Sequence, residues 1–517
     1  MRWVTLCMSI MIVAIFAATV TRQTQPDQMA HNMSDGTRPE HHTPAYESRL
    51  AIHAGQTSPD ELVSSARARI AALESSKSDY GAIIDLVSDL DVQLTSLQDS
   101  SEKMGPLYGL PVVVKDNIAI KGEPTTAGSL ALAQNRAAVD ADVVAQLRQA
   151  GAVILARANL SEWANFRDNR STSGWSSVGG QTRNAYDPSR SPCGSSSGSA
   201  VAIALGYAPL ALGTETDGSI ICPASMNGIV GIKPTRALVS QQGVVPLAQS
   251  QDVVGPMARN VRDAALLLSA ILSEGHHHRA EPIRRAGETP AALKRLRLGV
   301  ITNLGNTNVR VNGLFEDLQG QLRTAGVQLS PVVFPALTEI SQGEIVTLYT
   351  EFRRDINRYL KARPGLLPID SLASLIEYNQ TNRETVMPHF GQDRFIQAEQ
   401  IATLDQTDYQ LARARAQQLA GRDGIDFLLR EHQLDALIVP SNGPAWPIDY
   451  RQGDGFEVGS STPAAVSGYP SITVPMGQLD GLPIGLSLIG GEFDDEKLIR
   501  IAGAIEGMTG GYIPPPL

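Results

Sequence analysis

Short apolar, β-branched runs alternate with helical segments along most of this 517-residue chain. Residues 58–73 begin with a Ser-Pro-Asp-Glu cap and continue with apolar residues at helical spacing, which predicts an amphipathic helix. The runs between the helices are short and bounded by Gly, Asp or Pro, as buried strands are. The predicted strands are 110–114, 152–155, 209–212, 296–301, 327–334, 434–439 and 471–474. This alternation predicts an α/β fold with one large mixed β-sheet covered by helices on both faces.

Three segments stand apart from this pattern. Residues 1–22 carry Arg2 and then an apolar run, which is typical of a signal peptide or an N-terminal membrane anchor. Residues 23–45 are polar and without a period, and they predict a flexible linker. Residues 339–433 predict a helical insertion that walls a pocket. We therefore expect 46–517 to form the functional domain. We expect the protein to be exported to the periplasm or the cell exterior, where it is either released or held to the membrane by its N-terminal segment.

The charge balance excludes one class of partner. Lys plus Arg is 43 and Asp plus Glu is 53, which gives a formal net charge of −10. Such an acidic chain without a basic run is a poor candidate for binding nucleic acid or an anionic membrane surface. We therefore predict no nucleic-acid partner.

The cysteines are too few for a disulfide framework. The chain has three, of which Cys7 lies in the targeting segment. We interpret Cys193 and Cys222 as buried free thiols, with a bond between them as the alternative. No CxxC or HExxH spacing occurs, and we predict neither a metal nor a cofactor.

Serine and glycine are concentrated where chemistry is expected. Residues 194–199 contain four serines and two glycines, and 213–219 end in Gly218 and Ser219. Glycine-rich turns let backbone N–H groups converge on one point, as an oxyanion hole requires. No histidine lies in this stretch and no GxSxG motif occurs, so a serine nucleophile here needs another base. Lys115 follows a buried run, and desolvation favours its neutral, basic form. The alternative is a lysine that turns outward to solvent.

Six segments together resemble the amidase signature family: 109–117, 193–200, 212–223, 228–235, 255–259 and 481–486. The resemblance covers about residues 47–510 and implies the amidase signature fold, so that 46–517 is an amidase domain. It implies an amide hydrolase that works through an acyl-enzyme and releases ammonia.

The resemblance also implies a role for individual residues. Ser219 is the nucleophile, Ser195 is the bridging serine that follows a cis peptide bond, and Lys115 is the base. Ser196 supports this network. The backbone N–H groups that hold the oxyanion belong to Thr216, Asp217, Gly218 and Ser219. The family needs no metal and no cofactor for this chemistry.

Further segments narrow the expected substrate. Residues 159–166, 179–184 and 445–448 are similar to members that remove the C-terminal amide group from peptides. We therefore expect a peptide amide or amino-acid amide as substrate, and a monomer or homodimer. The alternatives are a hydrolase of small, aryl or fatty amides, a glutamine-hydrolysing amidotransferase of the A type, and a non-enzymatic binding module.

Three residues depart from the common family pattern. Asp217 and Ser197 stand where glycine is common, and Ile221 stands where many members carry arginine. We expect the Asp217 side chain to point away from the oxyanion or to contact the substrate. We expect all three changes to alter specificity and to leave activity intact.

Other polar and aromatic residues have two interpretations each. Core packing is the expected role of four aromatic residues, with lining of a peptide cleft as the alternative: Trp163, Phe166, Trp175 and Trp446. Contact with a peptide and a structural role are both open for Asn165, Arg167 and Asp168. The triple histidine His276–His278 predicts a solvated loop.

Overall fold

Eleven β-strands join into one mixed sheet, which confirms the predicted α/β class. The computed structural model describes residues 40–75, 79–99, 105–305, 308–363, 367–401, 406–457 and 459–517. The sheet order is β1-β3-β2-β6-β8-β7-β12-β13-β11-β9-β10, and β4 and β5 pair separately. The strands are β1 (Ile83–Leu86), β2 (Pro111–Lys115), β3 (Val153–Ala158), β4 (Trp175–Ser176), β5 (Gly180–Gln181), β6 (Leu210–Glu215), β7 (Val230–Lys233), β8 (Val253–Ala258), β9 (Arg297–Ile301), β10 (Gln328–Val332), β11 (Ala436–Pro440), β12 (Ser471–Leu479) and β13 (Leu482–Ile489).

Helices cover this sheet, and each predicted strand matches an observed one within a few residues. The helices are α1 (Ala45–His53), α2 (Pro59–Glu74), α3 (Leu90–Asp99), α4 (Asp142–Gln149), α5 (Ser197–Ala204), α6 (Ile221–Met226), α7 (Val261–Ala270), α8 (Ala280–Glu288), α9 (Val309–Thr324), α10 (Leu337–Lys361), α11 (Leu372–Thr381), α12 (Arg383–Val386), α13 (Asp393–Gln400), α14 (Gln406–Ala420), α15 (Asp426–Glu431), α16 (Thr462–Ser467) and α17 (Asp495–Thr509).

Helix α2 shows how local sequence sets an element. The Ser58 side chain accepts a hydrogen bond from the Glu61 N–H at 3.2 Å. The Glu61 carboxylate in turn accepts one from the Ser58 N–H at 3.0 Å. This reciprocal cap satisfies two N–H groups that the first helical turn leaves free. The predicted helix at 58–73 therefore begins where its cap requires.

The centre of the sheet brings distant segments to one edge. Strand β2 pairs in parallel with both β3 and β6, with Val114 opposite Leu212. Lys115 is the last residue of β2, and β6 ends at Glu215. Because parallel strands end at the same edge, Lys115 and the segment after β6 meet there. Helix α5, which precedes β6, begins at this edge as well.

The predicted insertion at 339–433 is helical, from α10 to α15. Arg167 joins it to the rest of the fold: its Nη1 donates to the Val386 carbonyl at 2.6 Å and its Nε to the Gly391 carbonyl at 3.1 Å. The same guanidinium pairs with the Glu162 carboxylate at 3.0 Å, and both side chains are fully buried. Burial raises the pKa of Glu162, and Arg167 offsets part of that rise. Arg167 therefore has a structural role.

Replacing Arg167 with methionine should lower the free energy of unfolding by about 3–5 kcal/mol, because Glu162 is left buried without its partner. The control is Arg170→Met, since Arg170 is 62% exposed and 4.0 Å from Asp168. The Arg170→Met change should lower the free energy of unfolding by less than about 1 kcal/mol. Denaturant titration measures both, and equal losses in the two variants would contradict the assignment.

The N-terminal predictions fall largely outside the described residues. The signal or anchor at 1–22 and most of the linker at 23–45 lie there, and they stay predictions. Residues His41–Leu517 form one compact unit. In the described part of the chain, no helix combines the length and apolar character that crossing a membrane requires.

Candidate active site

Lys115 sits in a cage of oxygen atoms. Its Nζ lies 2.7 Å from Ser195 Oγ, 3.0 Å from Ser196 Oγ and 2.8 Å from Thr214 Oγ1. The Thr214 carbonyl is 3.2 Å away, and Asn117 Nδ2 donates to Thr214 Oγ1 at 3.0 Å. The lysine is fully buried. The structure thus brings Lys115 together with both predicted serines of the 194–199 turn.

Burial favours the neutral form of this lysine. It holds the pKa of the Lys115 ammonium well below its ordinary value, and the carboxylates of Asp252 and Glu215 offset only part of that shift. A neutral amine donates two hydrogen bonds and accepts one through its lone pair. The cage therefore contains an amine able to receive a proton.

The hydroxyl protons around Lys115 are not equivalent. Ser196 Oγ donates to the Thr214 carbonyl at 3.0 Å and accepts from the Thr214 N–H at 3.2 Å. Its proton is therefore committed to the backbone. Ser195 Oγ is at the shortest distance from Nζ, and its proton is the one suited to pass to the amine. The peptide bond between Gly194 and Ser195 is cis, as the family resemblance implies.

The predicted oxyanion segment follows directly after β6. The Glu215 carboxylate accepts hydrogen bonds from the N–H groups of Ile220 and Ile221 at 2.7 and 2.9 Å. These bonds hold the two ends of the 216–219 turn together. Gly218 has a φ of 79°, in the left-handed region that favours glycine. The Ser219 carbonyl accepts from the Ser196 N–H at 3.1 Å, so the segment is tied to the serine-rich turn.

Asp252 supports the start of this segment, and sequence reasoning missed it. Its carboxylate accepts from Thr216 Oγ1 at 2.6 Å and from the N–H groups of Leu247 and Ala248 at 2.9 and 3.0 Å. Burial raises the pKa of Asp252 to about 7. Glu215 pairs with Val253 across β6 and β8, which places Asp252 beside Thr216. Only the register between β6 and β8 places Asp252 beside Thr216, and the register of two strands cannot be inferred from a single sequence.

The three departures have structural explanations. The Asp217 carboxylate accepts a hydrogen bond from Thr462 Oγ1 at 2.7 Å, at the start of α16. The Ser197 hydroxyl donates to the Cys193 carbonyl at 2.6 Å and stabilises the turn before α5. Ile221 is buried in α6. Their effect on specificity stays a prediction.

The interpretation of Cys193 and Cys222 as free thiols is wrong. Their sulfur atoms form a disulfide bond at 1.99 Å, with the Cα atoms 5.9 Å apart. The two residues are 29 positions apart in sequence. The fold brings them together because β6 returns the chain to the edge where α5 and α6 begin. The closed loop contains Ser195 and Ser219, so the bond joins the two serine-bearing segments.

Removing this bond should destabilise the fold. The double variant Cys193→Ala/Cys222→Ala is expected to lose about 3–4 kcal/mol of unfolding free energy, since an open chain of this loop length has more conformational freedom when unfolded. Denaturant titration with and without reductant measures the loss. Reductant should lower the stability of the unmodified chain and leave the double variant unchanged. Equal stability of the two proteins without reductant would contradict this account.

The aromatic residues mostly have the expected core role. Trp163 packs edge-on against Phe395. Phe166, Trp175 and Trp446 are also at most 9% exposed. Asp168 is structural, because its carboxylate accepts from the Asp393 N–H at 3.0 Å. Asn165 donates to Ser173 and Asp454 at 3.3 and 3.4 Å. The triple histidine forms a 3-10 turn with no buried residue.

A groove of about 1120 Å³ opens near the site. Its lining includes Gln241, Asp252 and, from the helical insertion, Asp355 and Arg358. The insertion therefore does wall a cavity, as predicted. Among the described residues, no three His, Cys, Asp or Glu side chains are grouped to hold a metal ion.

The chain is similar to known proteins over most of its length. The family model described as Amidase matches residues 61–499. A probable amidase of Arabidopsis thaliana is 38% identical over 435 residues, which cover 80% of each chain. The A-type component of the glutamyl-tRNA(Gln) amidotransferase of Symbiobacterium thermophilum is 36% identical over 483 residues, covering 88% of this chain and 94% of that protein.

Solved structures are similar over nearly the whole chain. The native peptide amidase from Stenotrophomonas maltophilia is 42% identical with a TM-score of 0.84, covering 92% of this chain and 98% of that one. A peptide amidase in complex with the competitive inhibitor chymostatin is 43% identical with a TM-score of 0.86, covering 92% and 99%.

Proposed function

The chain belongs to the amidase signature family and is an amidase acting on amide C–N bonds, and on this basis we propose that it removes the C-terminal amide of peptides or amino-acid amides. The observation that carries the proposal is the buried Lys115 amine, 2.7 Å from Ser195 Oγ. The neighbouring Ser196 N–H ties this serine turn to the Ser219 carbonyl at 3.1 Å. A neutral amine beside a serine hydroxyl is a base able to activate a second serine.

In the first half of the proposed reaction, Ser219 Oγ attacks the carbonyl carbon of the substrate. The proton of Ser219 passes to Ser195 Oγ while the proton of Ser195 passes to Lys115 Nζ. The carbonyl oxygen becomes an oxyanion that accepts from the backbone N–H groups of Thr216, Asp217, Gly218 and Ser219. Preorganised N–H donors in a site of low polarity stabilise such a charge strongly.

In the second half, the C–N bond breaks and the bond electrons stay on nitrogen. Lys115 returns its proton through Ser195, so nitrogen leaves as ammonia and the acyl group stays on Ser219. Water then adds to the acyl carbon and the C–Oγ bond breaks, which releases the carboxylic acid and restores the Ser219 hydroxyl. Ser196 supports the lysine throughout from its fixed position against Thr214.

The peptide-amide substrate is supported by the likeness to peptide amidases at 42–43% identity. The A-type component of the glutamyl-tRNA(Gln) amidotransferase from Thermotoga maritima is less similar in structure, at 26% identity and a TM-score of 0.68. Export is supported by the buried Cys193–Cys222 disulfide, because such bonds persist chiefly in oxidising compartments.

The test is a panel of peptide amides, peptides with internal amide bonds only, free glutamine and a fatty amide. Mass spectrometry and ammonia release report the products, with Ser219→Ala as the blank. We expect only terminal carboxamides to become carboxylic acids. Chymostatin, the competitive inhibitor bound to the relative, should compete with the substrate. Turnover of glutamine alone or of the fatty amide alone would show that the substrate belongs to that class and is not a peptide amide. No turnover of any panel member would overturn the proposal.

A further inference from the structure

Helix α10 of the insertion contacts the loop that leads into β8 through three buried carboxyl groups, those of Glu344, Glu351 and Asp355. Their spacing keeps them on one side of an α-helix. The Ser250 N–H donates to the Glu351 carboxylate at 2.8 Å, and the Gln249 N–H donates to the Asp355 carboxylate at 3.2 Å. The insertion therefore fixes the backbone of this loop.

The third carboxyl group, that of Glu344, reaches the predicted oxyanion segment through a side chain of the same loop. Gln251 Nε2 donates to Glu344 Oε1 at 2.8 Å and lies 3.4 Å from the Thr216 carbonyl. Both Gln251 and Glu344 are at most 6% exposed. Gln251 thus joins helix α10 to Thr216, whose hydroxyl is already held by the neighbouring Asp252.

Glu344 also contacts Asp217, the next residue of the oxyanion segment. The two carboxyl groups are hydrogen-bonded to each other, which requires a proton on one of them. Burial and the nearby Asp217 charge hold the pKa of Glu344 well above its ordinary value. Two buried carboxyl groups in contact cannot both be ionised, so Glu344 carries the proton and donates it to Asp217.

Asp217 has a free acceptor for this proton. Its Oδ2 accepts from Thr462 Oγ1 at 2.7 Å. Its Oδ1 is buried and lacks an N–H or hydroxyl donor in the described part of the chain. A buried carboxylate oxygen without a donor costs stability, and the protonated Glu344 supplies one. Glycine, the common residue at this position in the family, needs no such donor, so the presence of Asp217 and that of Glu344 explain each other.

We propose that Glu344 is a positioning residue, which acts through Asp217 and Gln251 to keep the oxyanion N–H groups aligned. The inference rests on the proposed function, in which residues 216–219 hold the oxyanion, and it adds a residue of the insertion to that task. Misaligned donors stabilise the transition state less, whereas binding of the uncharged substrate depends on them little. Loss of the Glu344 contacts should therefore lower kcat and change KM little.

The first test compares two substitutions of Glu344 on the best amide substrate. Glu344→Met removes both polar atoms at similar length and should lower kcat by about 10–100-fold. Glu344→Gln keeps a donor for Asp217 and an acceptor for Gln251, and it should keep kcat within about threefold of the wild type. KM should change by less than about threefold in both variants.

A second measurement probes the oxyanion donors without turnover. A peptide aldehyde accepts Ser219 Oγ at its carbonyl carbon, the Ser219 proton passes through Ser195 to Lys115, and the aldehyde oxygen becomes an oxyanion. Glu344→Met should weaken inhibition by this aldehyde about as much as it lowers kcat. The matching peptide alcohol has no carbonyl oxygen, and its inhibition constant should stay within about threefold.

The matched control lies one turn further along the same helix. Thr347 is buried and donates to the Gly343 carbonyl at 2.8 Å. Thr347→Val should cost about 1 kcal/mol of stability and leave kcat unchanged. Gln251→Met breaks the same link from the loop side, and it should lower kcat and aldehyde affinity together even where Glu344→Met folds poorly.

The outcomes separate this inference from the proposed function. An unchanged kcat in the folded Glu344→Met or Gln251→Met protein would overturn the inference alone. So would a loss in Glu344→Gln as large as that in Glu344→Met, or equal weakening of the aldehyde and the alcohol. A wild type that hydrolyses no amide of the panel would overturn the proposed function, and the inference with it.

Discussion

Replacing Ser219 with alanine should lower turnover of a peptide amide by about 10⁴-fold or more, with the folded protein retained. Without the hydroxyl, no oxygen is present to attack the carbonyl carbon and the acyl-enzyme cannot form. The loss should appear in kcat, because the oxyanion N–H groups remain and substrate binding continues. Steady-state ammonia release and a thermal unfolding curve measure the two quantities.

The matched control is Ser199→Ala, a few residues from the cage. Ser199 is buried and its hydroxyl donates to the Leu212 carbonyl at 2.9 Å. Loss of that bond should cost about 1 kcal/mol of stability and change turnover less than tenfold. Near-full activity of Ser219→Ala would show that another group is the nucleophile.

Replacing Lys115 with methionine should lower kcat/KM by about 10²–10⁴-fold, the usual contribution of a general base. The side chains are similar in length, and methionine carries no amine to receive the Ser195 proton. Because the three residues act as one unit, the double variant with Ser219→Ala should be no worse than Ser219→Ala alone. Additive losses would contradict a shared proton path.

The role of Lys115 as a base also predicts the direction in which kcat/KM changes with pH. Burial lowers the pKa of Lys115, and the neutral amine is the active form. In the wild type kcat/KM should rise as the pH rises through that pKa, and Lys115→Met should lose this dependence. Lys233→Met is the control, since Lys233 is also buried, with a pKa lowered to about 8, and contacts the Pro234 carbonyl. That variant should keep the rise.

The strands and long helices are predictable because each has a period or a cap that acts locally. Helix α2 begins at its Ser58 cap, and the buried runs before Lys115 and at 434–439 form β2 and β11. The family resemblance predicts Lys115, Ser195 and Ser219 as site residues, and the structure places the first two 2.7 Å apart. No periodicity in the sequence indicates that Lys115 meets the serine turn.

The rest depends on contacts between residues far apart in sequence. The spacing of Cys193 and Cys222 carries no information about the turn that joins them, which is why the free-thiol interpretation fails. Asp252 supports Thr216 only through the register of β6 and β8. The role of Arg167 is open in the sequence, since its partners in 386–391 belong to the insertion. Such contacts become visible only in the folded chain.

Interception of the acyl group by hydroxylamine distinguishes an acyl-enzyme on Ser219 from direct attack of water on the substrate. A primary amide and a methyl ester with the same acyl group are each hydrolysed in the presence of hydroxylamine, and the ratio of hydroxamate to acid is measured. If both substrates acylate Ser219, they form the same intermediate, and the ratio should be identical for the two. A ratio that changes with the leaving group would show that water attacks the substrate directly, and the acyl-enzyme account would be wrong.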